Sequence, residues 1–234
     1  MGIINTCVVP SRRLEIHPCV EGIFVFNGTN MNPQGLFSGM EKQVILITGT
    51  PCVGKTTVAR ELTRRLDALY VNLTELARKY NLILGEDEER HTTIIDEDKM
   101  RIKIAEVIDN AEKANVIIDG HYAAAVAPRN KVTRVFVLRR NPIQLREFMT
   151  KCGFKDQKLW ENLASEILDV CLVEALREQG EAKVCELDIS ERTMEEIVED
   201  ILAILDCRKK CRVGGIDWLG MLEQEGKLEE YLKV

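Results

Sequence analysis

The chain has 234 residues, 45% of them apolar and 30% charged, which suits one substantial domain and excludes a disordered or fibrous protein. Its longest apolar runs, such as Val44-Ile45-Leu46-Ile47, fall far short of the roughly 20 residues that cross a bilayer, so no membrane span is expected. The net charge of −6 leaves a nucleic-acid partner dependent on a local basic patch. Met1 to Pro10 show no basic start and apolar stretch of a secretory leader. Eight cysteines, at 7, 19, 52, 152, 171, 185, 207 and 211, show no C-x-x-C pair and no zinc spacing. They are expected to be reduced inside a cell, with Cys171 and Cys185 serving as small buried hydrophobes.

Residues 1–39 form an accessory segment rich in Gly, Asn, Pro and Ser, as in Asn27-Gly28-Thr29-Asn30, with one candidate strand at Gly22 to Phe26. From Met40, a candidate authentic start, short apolar strands alternate with longer amphipathic stretches, the pattern of βαβ units. Strands are predicted at Val44 to Thr48, Tyr70 to Asn72, Val116 to Asp119, Arg134 to Leu138 and Ala182 to Glu186. Helices are predicted at Lys55 to Leu66, Glu75 to Tyr80, Glu97 to Lys113, Pro142 to Lys151, Asp156 to Glu178 and Met194 to Cys207. Asn141-Pro142 supplies a cap and a first-turn proline, and Thr193 with Glu196 makes a capping box. Right-handed crossovers put the connecting loops, and any ligand, at the carboxyl ends of the strands.

The strongest motif is Gly49-Thr50-Pro51-Cys52-Val53-Gly54-Lys55-Thr56-Thr57, which satisfies G-x-x-x-x-G-K-[ST] between a predicted strand and a predicted helix. Glycines let successive amides curl inward around phosphate oxygens, and the helix that follows presents its positive end there. Lys55 is placed to meet the β and γ phosphates of a nucleotide, and the Thr56 hydroxyl to ligate Mg²⁺. A second apolar strand ends in Asp119-Gly120-His121. Asp119 is the expected acid for the metal, and His121 the expected positioner of a water or of the moving phosphoryl group.

Together with Leu76-Ala77-Arg78-Lys79-Tyr80-Asn81, the acidic Gly85 to Glu89, Ile95-Asp96-Glu97-Asp98 and Val137-Leu138-Arg139-Arg140, these motifs resemble the atypical adenylate kinase family typified by the coilin-interacting nuclear ATPase. The resemblance runs from about Val44 to Asp206 and does not cover residues 1–39. It implies an α/β, three-layer P-loop NTPase fold of the nucleoside monophosphate kinase type, with a five-stranded parallel sheet flanked by helices. The kinase domain is then 40–206, followed by a helical tail at 207–234. Further implied are ATP and Mg²⁺ as cofactors, AMP as phosphoryl acceptor, ATPase activity, and a part in maturing the small ribosomal subunit with a platform ribosomal protein of the pre-ribosomal particle. The setting is cytoplasmic, or nuclear in a eukaryote, with no membrane partner. Carried over by position, Cys52, Gly54, Lys55, Thr56, Thr57 and Cys152 line the ATP phosphates. Asn72 to Ile95 is the monophosphate arm, with Asn72, Arg78 and Arg139 binding substrate, and Lys151 to Glu161 is the lid.

Two positions depart from the family pattern: Cys52 stands for a glycine and Cys152 for a lid arginine. The lost guanidinium implies modest phosphoryl transfer. Cys52, among amides at a helix start and near Lys55, is expected to favour the thiolate. The basic cluster Cys207 to Arg212 reads first as charges stabilising a helix end and second as an RNA contact. Residues 216–222 and 228–232 are amphipathic pieces that either fold back on the core or bind a partner. The competing readings are an ATPase switch that releases a ribosomal partner and a small-metabolite kinase.

Overall fold

The strand that carries the loop motif is apolar on both faces, and the reason is its position in the middle of a sheet. In a computed structural model, which describes residues 42–87 and 92–232, β1 (Gln43–Thr48) is flanked on both sides in an all-parallel sheet. The accessory segment, its candidate strand at 22–26, Met40 and Glu88-Glu89 of the acidic run lie outside the described residues. After β1 come α1 (Lys55–Leu66), β2 (Leu69–Asn72), α2 (Leu73–Lys79), β3 (Ile83–Asp87), β4 (Thr92–Ile95), α3 (Glu97–Asp109), β5 (Asn115–Asp119) and α4 (Ala123–Val126). They are followed by β6 (Arg134–Arg139), α5 (Pro142–Lys151), α6 (Asp156–Ile167), α7 (Val170–Gln179), β7 (Val184–Asp188), α8 (Met194–Leu205), α9 (Trp218–Gln224) and α10 (Leu228–Tyr231).

The five-stranded parallel sheet has the order β2-β5-β1-β6-β7. Side chains alternate along each strand, so Val44 and Leu46 enter one core with α2, α3, α4 and α7. Ile45 and Ile47 enter the other, with α1, α5, α6, α8 and the tail. This is the expected three-layer arrangement. Among the described residues no helix is long and apolar enough to cross a membrane.

Several boundaries differ from the sequence reading. The stretch expected as Glu97 to Lys113 stops at Asp109, where Lys42 Nζ donates to the carbonyls of Ile108 (2.9 Å) and Asp109 (2.6 Å). The segment between α2 and α3 adds an antiparallel hairpin of β3 and β4 that alternation had not marked. The last strand begins at Val184, after a short 3-10 turn at Glu181–Lys183. The helix expected from Asp156 to Glu178 is two helices, broken at Leu168 and Asp169, and Asp169 has φ +59°.

The break has a cause in Arg139, and that cause corrects a predicted role. Arg139 was expected to bind substrate; its side chain instead turns into the interior and is 1% exposed. It donates to Glu166 Oε1 (2.9 Å), Glu186 Oε1 (2.5 Å), Asp169 Oδ1 (2.5 Å) and the carbonyl of Glu166 (2.8 Å). One guanidinium thus takes a carbonyl in the last turn of α6 and the side chain of Asp169, which precedes the next helix. Burial alone would lower its pKa, and the carboxylates of Glu166 and Asp169 override that and hold it above the ordinary value.

The tail folds back. Trp218 Nε1 donates to Glu166 Oε1 (3.1 Å), and Leu222 and Tyr231 join the core. Ahead of it, Glu186 N donates to Arg212 O (2.9 Å), and this strand-like pairing sets Cys211 beside Cys185 in a disulfide. The expectation of reduced cysteines, with Cys185 a lone hydrophobe, fails at this pair. In the basic cluster Arg208 pairs with Asp206 (2.9 Å) and Lys209 with Asp200 (2.6 Å), in keeping with the helix-end reading.

Replacing Arg139 by Leu strands Glu166 and Glu186 as buried carboxylates, and should cost about 3–5 kcal/mol. Urea denaturation is expected to show this as a lower midpoint at unchanged slope. A loss below about 1 kcal/mol would mean the pairing contributes little.

Candidate active site

The loop after β1 is shaped by two glycines. Gly49 has φ +136°, and a Cβ there would lie 2.4 Å from the carbonyl oxygen of Leu138 on β6. No other residue fits. Gly54 has φ +118° and precedes α1 without a side-chain cap, and α1 carries no acid in its first turn. The amides of Lys55, Thr56 and Thr57 therefore stand free of intrahelical partners at the positive end of a helix. Thr56 and Thr57 are exposed there. Lys55 Nζ donates to the carbonyls of Gly49 and Thr50, both at 2.8 Å. Burial lowers its pKa, while Cys171, Asp119, Cys52 and Glu166 act in the opposite sense.

Asp119, 1% exposed at the end of β5, sits in register with Ile47 of β1 and Asn72 of β2. Its Oδ2 accepts from Thr56 Oγ1 (2.7 Å), Tyr70 Oη (2.8 Å) and Asn72 Nδ2 (3.1 Å). Asn72 also caps α2, its Oδ1 accepting from Glu75 N (3.0 Å). The predicted substrate residue Asn72 is thus engaged in fixing the acid and the first turn of α2. A hydroxyl and a carboxylate, both hard oxygen donors, make a set that suits Mg²⁺.

His121 lies two residues past Asp119, with its ring edge-on to Tyr122 at 4.9 Å. Its carbonyl accepts from Thr48 Oγ1 (2.9 Å), which ties it to the end of β1. The protein crowded around the ring, with Lys55 and Lys158 nearby, lowers its pKa to about 4, so the imidazole is neutral at pH 7.

The cysteine at 52 behaves opposite to expectation. It adopts φ +62°, and its thiol is pushed up to about 12 by burial and by the neighbouring Cys152 thiol, against a weaker pull from Lys55. It is a thiol at neutral pH. Cys152, at the end of α5, is exposed. Beside them Arg140 donates from Nε to the Val53 carbonyl (3.1 Å), with its guanidinium 4.8 Å over the Phe148 ring.

The other basic side chains near the site are divided. Arg78 is exposed on the last turn of α2. Arg146 pairs with Glu230 (2.5 Å) and covers the rings of Trp160 and Tyr231, a structural use. Lys151 lies over Phe148 at 5.6 Å. Two supporting residues escaped the sequence reading. Tyr70 was legible, being two residues from Asn72 on a strand and so on the same face. Glu166 accepts from Thr50 Oγ1 at 2.5 Å, and its signal was a charge within the apolar stripe Leu159, Leu163 and Ile167.

A parallel three-layer sheet whose central strand opens into this loop, with a lysine, a threonine and an acid on the neighbouring strand, defines a P-loop kinase fold. A family profile described as an AAA domain matches residues 45–169, more than half of the chain. A protein of Methanocaldococcus jannaschii named "Putative adenylate kinase" is 39% identical over 174 residues, covering 74% of this chain and 92% of that one. A protein of the same name from Pyrococcus furiosus is 36% identical over 185 residues, covering 77% and 94%. The chain belongs to the adenylate kinase-like P-loop family. A solved shikimate kinase from Acinetobacter baumannii shares the fold, with TM-score 0.51 and 19% identity over 73% of this chain and 96% of that one. The relatives support nucleotide kinase activity.

Iodoacetamide at pH 7 should label Cys152 well before Cys52, followed by mass spectrometry of the peptides, because only the thiolate is alkylated. Faster labelling of Cys52 would contradict the geometry at the loop.

Proposed function

We propose that the protein is a Mg²⁺-dependent nucleoside monophosphate kinase that moves the γ phosphate of ATP to AMP. The observation that carries this is the Thr56 hydroxyl held at 2.7 Å by the buried Asp119, next to Lys55 at the mouth of the loop. Thr56 and Asp119 would hold Mg²⁺, which, when bound, neutralises charge developing on the phosphates.

The chain's own residues do the rest. The amides from Gly54 to Thr57 receive phosphate oxygens. Lys55 exchanges the carbonyls of Gly49 and Thr50 for the β and γ phosphates. Tyr70 and Asn72 keep Asp119 oriented. The segment 72–95, built of α2 and the β3-β4 hairpin, acts as the monophosphate arm, with Arg78 as clamp, and 151–161 acts as the lid. Closure of the two excludes water from the transferring group. The acceptor oxygen attacks phosphorus directly, and no covalent enzyme intermediate forms.

A second reading, ATP hydrolysis, is favoured by the neutral His121 imidazole two residues beyond Asp119, which suits orienting a water. The family resemblance supports coupling of that hydrolysis to a ribosomal protein, in the cytoplasm or nucleus.

ADP formation from ATP and Mg²⁺, followed with and without AMP, separates the readings. Strong dependence on AMP is expected, and Lys55→Ala should lower kcat/KM by about 10²–10³. An AMP-indifferent rate would favour the hydrolase, and absence of turnover in both assays would overturn the proposal.

A further inference from the structure

The tail reaches the phosphate loop through the two oxygens of one carboxylate. Glu166 Oε1 accepts from Arg139 Nε (2.9 Å), the amide of Arg140 (3.1 Å) and the indole Nε1 of Trp218 (3.1 Å), whereas Oε2 accepts from the Thr50 hydroxyl at 2.5 Å. Thr50 in turn offers its carbonyl to Lys55 Nζ at 2.8 Å and to the amide of Val53 at 3.3 Å. A chain of hydrogen bonds therefore runs from Trp218 through Glu166 and Thr50 to Lys55, and its first three members are buried.

The indole donation is separable from the docking of the tail. Asp217 caps α9 by accepting from Gly220 N (2.8 Å), and Leu222 and Tyr231 pack into the core. Glu186 Oε2 accepts from the amides of Gly214 (2.8 Å) and Gly215 (3.2 Å). None of these contacts involves the indole N–H.

We propose that Trp218 is a positioning residue for the nucleotide: acting through Glu166 and Thr50, its indole N–H holds the phosphate loop in the arrangement that receives ATP, so that the folded-back tail raises ATP affinity. This rests on the reading of loop 49–57 as the ATP phosphate site. An N–H donated to an ionised carboxylate is a charge-assisted bond, roughly twice as strong as a neutral one. The terminal torsion of a glutamate is broad, and two donors from the adjacent residues Arg139 and Arg140 constrain it less than three drawn from two parts of the chain. Without the indole the carboxylate turns more freely, and Thr50 either follows Oε2 or loses it. Either outcome loosens residue 50, whose carbonyl anchors Lys55 and the Val53 amide. By linkage, a nucleotide seated in the loop must favour the docked indole by the same factor.

The test uses the full chain and a double-mutant cycle. Trp218→Phe keeps an aromatic ring and removes the donor; Thr50→Val keeps the shape and removes the hydroxyl. A fluorescent ATP analogue with Mg²⁺ is titrated into wild type, both single variants and the double variant, each first shown to be folded by urea denaturation. Trp218→Phe should bind about three- to tenfold more weakly, and in the Thr50→Val background the same change should alter affinity by less than about twofold. The wild-type chain supplies a second readout. It has two tryptophans, whose indole N–H resonances are followed by NMR on isotopically labelled protein and assigned with either Trp160→Phe or Trp218→Phe. Saturation with a non-hydrolysable ATP analogue should move the Trp218 signal. An unmoved Trp218 signal at saturation, unchanged affinity in folded Trp218→Phe, or losses that simply add in the double variant would each overturn the positioning role while leaving the nucleotide site intact. Folded wild type that binds neither analogue would overturn the nucleotide reading, and the positioning role with it.

Discussion

The phosphate loop is held from beneath by one buried carboxylate. Glu166, 1% exposed, accepts from the Thr50 hydroxyl, the Arg139 guanidinium, the amide of Arg140 and the Trp218 indole. An anion removed from water is tolerable only when it is paired and fully hydrogen-bonded, and four donors meet that demand here. The donors come from the loop, the end of β6 and the tail. Satisfying one charge therefore fixes where the loop stands relative to the sheet and to α6. The same arrangement explains why α6 stops where it does: the guanidinium that neutralises Glu166 also binds its carbonyl and Asp169.

On the other side of the loop Asp119 performs the corresponding task for the catalytic edge. It gathers Thr56 from α1 and Tyr70 and Asn72 from β2 onto one carboxylate oxygen. Because β2, β5 and β1 are adjacent and parallel, their carboxyl ends deliver these side chains to one place, as expected for open α/β sheets. Loop glycines supply the complementary constraint. The close approach of Gly49 to the Leu138 carbonyl keeps the loop tight against β6, which leaves the helix amides turned outward for an anion.

Much of this was legible before any coordinates. Apolar strands ending in glycine or aspartate identified the sheet and placed Lys55, Thr56 and Asp119 together, because a parallel sheet admits few ways of connecting such pieces. Pro142 and the capping box at Thr193 marked helix starts that the structure reproduces. What escaped depended on contacts distant in sequence. Nothing near Leu168 and Asp169 signals a break, since it arises from Arg139 on another element. Arg139 itself read as a site residue because the family resemblance put it there and a guanidinium suits a phosphate, and only the acids at 166, 169 and 186 account for its place. Pairing of Cys185 with Cys211 likewise follows from how the chain after α8 runs back along β7, a path no local pattern encodes.

The lodging of Trp218 against Glu166 bears on biosynthesis. A ribosome releases β1 and its loop long before residue 218, so the carboxylate that steadies Thr50 lacks its indole donor until that later segment has emerged. A nascent chain can therefore assemble its sheet early yet complete this set of donors only once residue 218 is free to fold back.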